Sequence, residues 1–170
     1  DVYEQAVNAV LFSTNSYIQD VRSFIGGEWQ EGMGKAFSVM HNPATGREIG
    51  YVSDASFLQI EGACASARLA QGVWHYDVGM SEKERIFREF ARLLEEYRGE
   101  LASIQIVTEG RLWKSADAEV QGALNCIWHY HGELSRVRGW SAQTRMKDKS
   151  ANVRREPYGV IVGFTPFNST

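Results

Sequence analysis

Cysteine is scarce in this chain, with only Cys64 and Cys126 among 170 residues. The two stand far apart in helix-patterned surroundings, so no disulfide framework is expected and a reducing, cytoplasmic compartment is. Neither sits at a helix N-terminus or in a tight basic cluster, so both read as small hydrophobes within helices and not as activated thiols. Long apolar runs are also missing: none approaches the roughly 20 residues a membrane-spanning helix needs, and no membrane partner is expected. The opening "DVYEQAVNAVLF" begins at Asp1 and lacks the basic region and small-residue cleavage site of a secretory signal, so a trimmed or processed front is expected. No glycine-rich phosphate loop follows a strand-like run, because "IGGEW" falls in a hairpin pattern. A metal is not expected either. "WHYHGE" offers His129 and His131, but positions two apart on a helix diverge by about 200°, too far to share one ion. No self-contained catalytic set can be assembled from what remains.

What is present is the composition of a soluble globular domain, 44% hydrophobic and 23% charged, with length for one ordinary core. Tyr3, Ala6, Val7, Val10 and Leu11 recur at helical spacing and predict a short opening helix. "SFIGGEWQ" predicts a two-residue hairpin turning on Gly26 and Gly27, because both turn positions need positive φ. "FSVMHNPATGREIGYV" predicts a second hairpin around Asn42, Pro43, Ala44, Thr45 and Gly46.

From Ser56 the period turns helical. Gly62, Ala63, Ala65 and Ala67 predict a small-residue helix able to approach a neighbour closely and ending near Trp74. "SEKERIFREFARLLEEY" predicts an amphipathic helix with a Ser81/Glu84 capping box and an apolar stripe of Ile86, Phe90, Leu93, Leu94 and Tyr97. Its Glu82, Glu84, Glu95 and Glu96 alternate with Lys83, Arg85 and Arg92 and read as solvated surface. A further helix should end at Gly110. A long one should cover residues 115–137, with Val120, Ala123, Leu124, Ile127, His131 and Leu134 inward and Gly139 as its stop.

After Gly139 the pattern alternates, which predicts an extended strand with Arg145, Lys147 and Lys149 on one face. Residues 136–155 hold seven basic residues and one acidic, a local charge of +6 in a chain whose net charge is −3. Bordered by Trp140 and Tyr158, this stretch admits a nucleic-acid-binding reading. The overall acidity and the absence of a recognition-helix or RNA-binding signature argue against it. Charge along an edge strand equally serves to limit uncontrolled pairing while permitting a specific partner. Finally "GVIVGF", residues 159–164, is nearly all apolar, as a strand covered on both faces of a parallel sheet would be.

Taken in order, "FIGGEW", "NPATGREI", the Ala-rich helix ending in Trp74, the Arg-rich amphipathic helix, "TEGR", "AEV" and "REPYGVIVGFTPFN" resemble the N-terminal third of the aldehyde dehydrogenase superfamily. The likeness spans residues 24–168 and leaves residues 1–22 unmatched. It implies an α/β fold, the N-terminal part of the aldehyde dehydrogenase fold, in which hairpins and helices precede a Rossmann-like parallel sheet and an extended oligomerisation arm. The implied divisions are residues 1–138 as the N-terminal part of an NAD(P)-binding domain, 139–157 as the arm strands, and 158–170 as the incomplete first strand of the sheet.

The implied activity is NAD- or NADP-dependent oxidation of an aldehyde to a carboxylic acid through a cysteine thiohemiacetal. Phe164, Thr165, Pro166 and Phe167 match the strand end that lines the cofactor, and Asn168 matches the asparagine whose amide donates to the developing oxyanion. An amide suits that task because it donates without titrating. The arm implies a homo-oligomer. The sequence departs from the family in ending on Ser169 and Thr170 after the Asn, and in carrying Gly110-Arg111 where Gly-Lys is usual. Cys64 and Cys126 match no catalytic position, and the family's catalytic cysteine and glutamate lie beyond Thr170. A truncated, inactive fragment is therefore expected, with a non-catalytic self-association module, or less favourably a nucleic-acid binder using residues 136–155, as the alternatives.

Overall fold

Residues 20–34 and 37–166 are described by the computed structural model. The helix expected over residues 3–11 lies outside them. The chain enters through β1 (Asp20–Val21), followed by β2 (Ser23–Ile25) and β3 (Glu28–Gln30), an antiparallel pair in the register Ser23↔Gln30, Phe24↔Trp29, Ile25↔Glu28. Gly26 and Gly27, at φ +64° and +88°, form the connection, a left-handed pair that residues with side chains rarely adopt. Opposite one another on the two strands, the Phe24 and Trp29 rings lie 5.0 Å apart.

The second expected hairpin joins β4 (Phe37–His41) to β5 (Glu48–Ser53). Asn42, 7% exposed, organises its turn. The Asn42 Oδ1 accepts from the backbone N–H groups of Ala44 (2.9 Å) and Thr45 (3.2 Å), while its carbonyl accepts from Gly46 at 2.8 Å. This is why Asn precedes Pro here: the side chain mimics a backbone acceptor and bends the chain locally. β1 joins the far edge of β5 in parallel, giving a three-stranded sheet in the order β1-β5-β4.

α1 (Phe57–Tyr76) begins at an N-cap, Ser56, whose hydroxyl accepts from Gln59 N–H, while the Gln59 side chain accepts from Ser56 N–H at 3.0 Å. The same buried Gln59 takes a 2.7 Å bond from Met33 N–H and donates 2.8 Å to the Glu31 carbonyl, so it also fastens the 31–34 loop. The small-residue helix meets a neighbour at one place, where a Cβ on Gly26 of the hairpin would lie 3.5 Å from Ser66 Oγ, and is open elsewhere among the described residues. Leu58 and Leu69 are 76% and 77% exposed, and nothing stands within 4 Å of where a Cβ on Gly62 or Gly72 would sit.

α2 (Met80–Glu96) starts earlier than the Ser81/Glu84 capping box requires. Its N-cap is Gly79, without a side-chain cap bond, because only a short link separates it from α1; the expected box is absent and Ser81 lies inside the first turn. Of its apolar stripe, Ile86 and Leu94 are half-buried, Ala91 is buried, and Phe90, Leu93 and Tyr97 are exposed. Its outer face carries the ion pairs Glu82–Arg85 and Glu89–Arg92–Glu96 at one-turn spacing.

α3 (Arg98–Glu109) ends on Gly110 at φ +71°, as expected. A Cβ there would lie 2.9 Å from Pro43 Cγ, so the glycine serves both the left-handed cap and the close seat of the Asn42 turn. α4 (Trp113–Leu134) starts and stops slightly before its expected bounds. Its C-cap is Ser135, not Gly139, and Ala123 is exposed while Ala116, Val120 and Leu124 are buried. The core lies where α2 and α3 pack on α4: Ala102, Ala116 and Val120, with Leu94, Leu101, Ile106 and Trp113 around them. Arg98 clamps α3 to α4, donating to both Asp117 carboxylate oxygens at 2.6 and 2.8 Å and to Gln121 Oε1 at 2.6 Å. At the other end of α3 Arg111 bonds Glu109 and, at 2.5 Å, Glu119.

β6 (Trp140–Gln143) and β7 (Ser150–Val153) form a separate antiparallel pair, from Trp140↔Val153 to Gln143↔Ser150. Arg145, Lys147 and Lys149 are not on a strand face. They lie in the connecting loop, which turns at Asp148 (φ +59°) and is closed by the 3.3 Å bond from Thr144 N–H to the Lys149 carbonyl.

Candidate functional site

The residues singled out for cofactor and oxyanion chemistry follow β7. From Arg154 to Pro166 the chain has no regular secondary structure, so the strand expected over residues 159–164 is not formed among the described residues. The reason is geometric: backbone N–H and C=O groups of a strand need a neighbouring strand, and none lies alongside this run in the described sheets. Its apolar side chains face outward instead, Ile161 77%, Val162 67% and Phe164 92% exposed. Thr165 and Pro166 are exposed beside Phe164, whereas Phe167 and Asn168 lie outside the described residues.

The run leaves β7 through a defined corner. Pro157 fixes one φ and restricts Glu156 to extended geometry, and Gly159 takes φ +92°. Before the corner, Glu156 Oε1 accepts from Arg154 Nε (2.8 Å) and Nη2 (2.5 Å), and Glu156 Oε2 stands 3.4 Å from Nε2 of His75 in the last turn of α1. Nothing in the sequence pattern marks His75 and Glu156 as a pair. They are far apart in the chain, and no periodicity links a helix end to an extended segment.

The other candidates resolve separately. Cys64 and Cys126 lie within α1 and α4 as expected, but both are exposed and not packed as small hydrophobes. His129 is exposed against the Tyr130 ring, while the half-buried His131 meets Trp128, so the two imidazoles point to different surroundings. Among the described residues no group of three or more His, Cys, Asp or Glu could hold a metal ion. No helix among them is long and apolar enough to cross a membrane.

Residues 29–170 match the model of the aldehyde dehydrogenase family. The chain belongs to that family. As an aldehyde dehydrogenase family member it is 29% identical over 148 residues to malonate-semialdehyde dehydrogenase 1 of Geobacillus kaustophilus, covering 87% of this chain and 30% of the relative. Among solved structures, it resembles a Sinorhizobium meliloti protein described as a methylmalonate-semialdehyde dehydrogenase, complexed with NAD. That match has a TM-score of 0.83 and 27% identity, over 91% of this chain and 31% of the other. It also resembles the NADP-dependent glyceraldehyde-3-phosphate dehydrogenase of Bacillus halodurans, complexed with NADP, with a TM-score of 0.81 and 26% identity over 91% and 33% of the two chains. This aldehyde dehydrogenase chain therefore spans about a third of the length of the relatives it matches, and its helices and strands correspond to the N-terminal part of the family fold.

Proposed function

We propose that the chain forms the N-terminal portion of a cytoplasmic NAD(P)-dependent aldehyde dehydrogenase that oxidises an aldehyde to a carboxylic acid through a cysteine thiohemiacetal. The observation carrying this reading is the family match from residue 29 through residue 170, which takes in the whole of "REPYGVIVGFTPFN". In it, residues 1–138 belong to the NAD(P)-binding domain, 139–157 form an arm that joins a neighbouring subunit's sheet, and 158–170 become the first strand of a parallel sheet once partner strands flank them. The unshared backbone and outward apolar side chains of residues 160–164 support this last assignment, because they form one half of an interface.

The same exposure fits a cofactor wall. Phe164, Thr165 and Pro166 have no other structural duty in the described residues and present apolar and polar surface to a ligand, with Phe167 next in line. A bound nicotinamide supplies the hydride acceptor. Asn168 donates its side-chain amide to the carbonyl oxygen that gains charge when a thiolate attacks the aldehyde. That thiolate comes from neither Cys64 nor Cys126, which lie on the exposed surfaces of α1 and α4, so the 170 residues alone carry no turnover.

The test has two parts. The chain incubated with an aldehyde and NAD or NADP should yield no cysteine-dependent NADH or NADPH; turnover abolished by thiol modification would refute the assignment of roles. Joined to the remaining two-thirds of a relative, the chain should support activity. Asn168→Ala in that hybrid should lower kcat by about 100- to 1,000-fold with little change in KM.

A further inference from the structure

The segment from Arg154 to Pro166 shares no sheet with the body of the molecule, and Tyr158, at its corner, is fully exposed. Its placement therefore depends on a small number of side-chain contacts, and Glu156 is central to them. One carboxylate oxygen is occupied by Arg154, from the same segment, and the other faces His75 at the C-terminal end of α1. The first contact stiffens the approach to Pro157. The second joins the approach to the helical body.

We propose that His75 and Glu156 are positioning residues, forming a charge-dependent latch that fixes the direction of the run 158–166 against the end of α1. Its consequence for cofactor binding rests on the functional reading above, whereas the latch itself is a property of this chain's geometry. At 3.4 Å the contact is longer than a strong N–H···O bond, so its strength comes mainly from charge, and histidine carries charge only when protonated. Among the charged and titratable groups nearby, Arg154 bonds Glu156 Oε1, Lys83 of α2 lies over the neighbouring Trp74 ring, the Tyr76 ring packs edge-on against His75, and Asp77 is the C-cap of α1, where its backbone N–H donates to the Val73 carbonyl and its carboxylate is a second anion two residues from His75. Because Pro157 and Gly159 set the corner immediately afterwards, a small shift of Glu156 swings the whole run that follows.

Methyl order parameters of Val160, Ile161 and Val162, measured by NMR on the full chain at pH 5.5 and pH 8.0, test this; these solution conditions span roughly the range in which histidine changes charge. The latched population should fall about two- to fivefold from the acid to the alkaline condition, the range of a partly exposed ion pair. His75→Gln should abolish the pH dependence and hold the run in its looser state throughout, and Glu156→Gln should do the same. An Arg85→Gln control on the outer face of α2 should leave it intact. Order parameters that do not change with pH in the parent chain, or that change equally in His75→Gln, overturn the latch. The Asn168→Ala kinetics of the hybrid enzyme decide the functional reading separately, so the two ideas fail on different measurements and the order parameters alone decide the latch.

Discussion

At the scale of single residues, Arg98 and Asp117 show how one pair joins two helices. Hydrogen bonds from Arg98 hold the Asp117 carboxyl below its ordinary value of 3.8, and the positive charge adds to the effect. A depressed carboxyl contributes stability that is present above its unfolded value and lost as pH falls through its folded one. Asp117→Asn should therefore destabilise the chain by about 1 kcal/mol near neutral pH, a discounted figure for a pair that still touches solvent. The difference from the parent should close as the pH drops below 3.8, as followed by thermal unfolding across pH. Gly110 poses a backbone question instead. Gly110→Ala places a Cβ at positive φ and 2.9 Å from Pro43, so it should cost about 1–3 kcal/mol. Urea unfolding would read that as a lower midpoint with an unchanged slope.

Among the elements, the junction of the 31–34 loop with α1 rests on Gln59, whose capping-box spacing from Ser56 marks the helix start in the sequence but not its bonds to the loop. Gln59→Ala strands the Met33 N–H and the Glu31 carbonyl and removes half of the capping box, so a loss of about 2–3 kcal/mol is expected in denaturant titration. Conservative Gln59→Glu keeps the acceptor but loses the donor to Glu31, and should fall between the two. The elements themselves were largely legible in the sequence. Turn chemistry exposed both hairpins because Gly26-Gly27 and Asn42-Pro43 act locally, and helical periodicity exposed α1 to α4 for the same reason.

Expectations failed where distant partners decide. The α2 start depends on how short the link from α1 is, and the basic residues of 144–149 fall in a loop because β6 and β7 pair in a register set by both strands. For the candidate site, the family motif pointed to residues 164–168, of which three are described. The His75–Glu156 contact was invisible because it joins sequence-distant residues across a corner.

On the scale of the whole molecule, apolar surface remains open in several places, including Trp140 at 60% and Trp128 at 50% exposed. If β6 and β7 add to a second copy as proposed, Trp140→Lys should shift sedimentation toward the monomer, and an unchanged distribution would count against the arm. The connectivity of the sheet carries a kinetic consequence as well. Both hairpins close over short stretches of chain, but β1 must find β5 across the span from Asp20 to Tyr51, and in parallel. Distant pairings form late because the intervening loop has to be ordered first. The first described strand is thus among the last to dock, so in refolding experiments deletion of residues 20–21 should spare the rate at which helicity appears while removing a slower final phase.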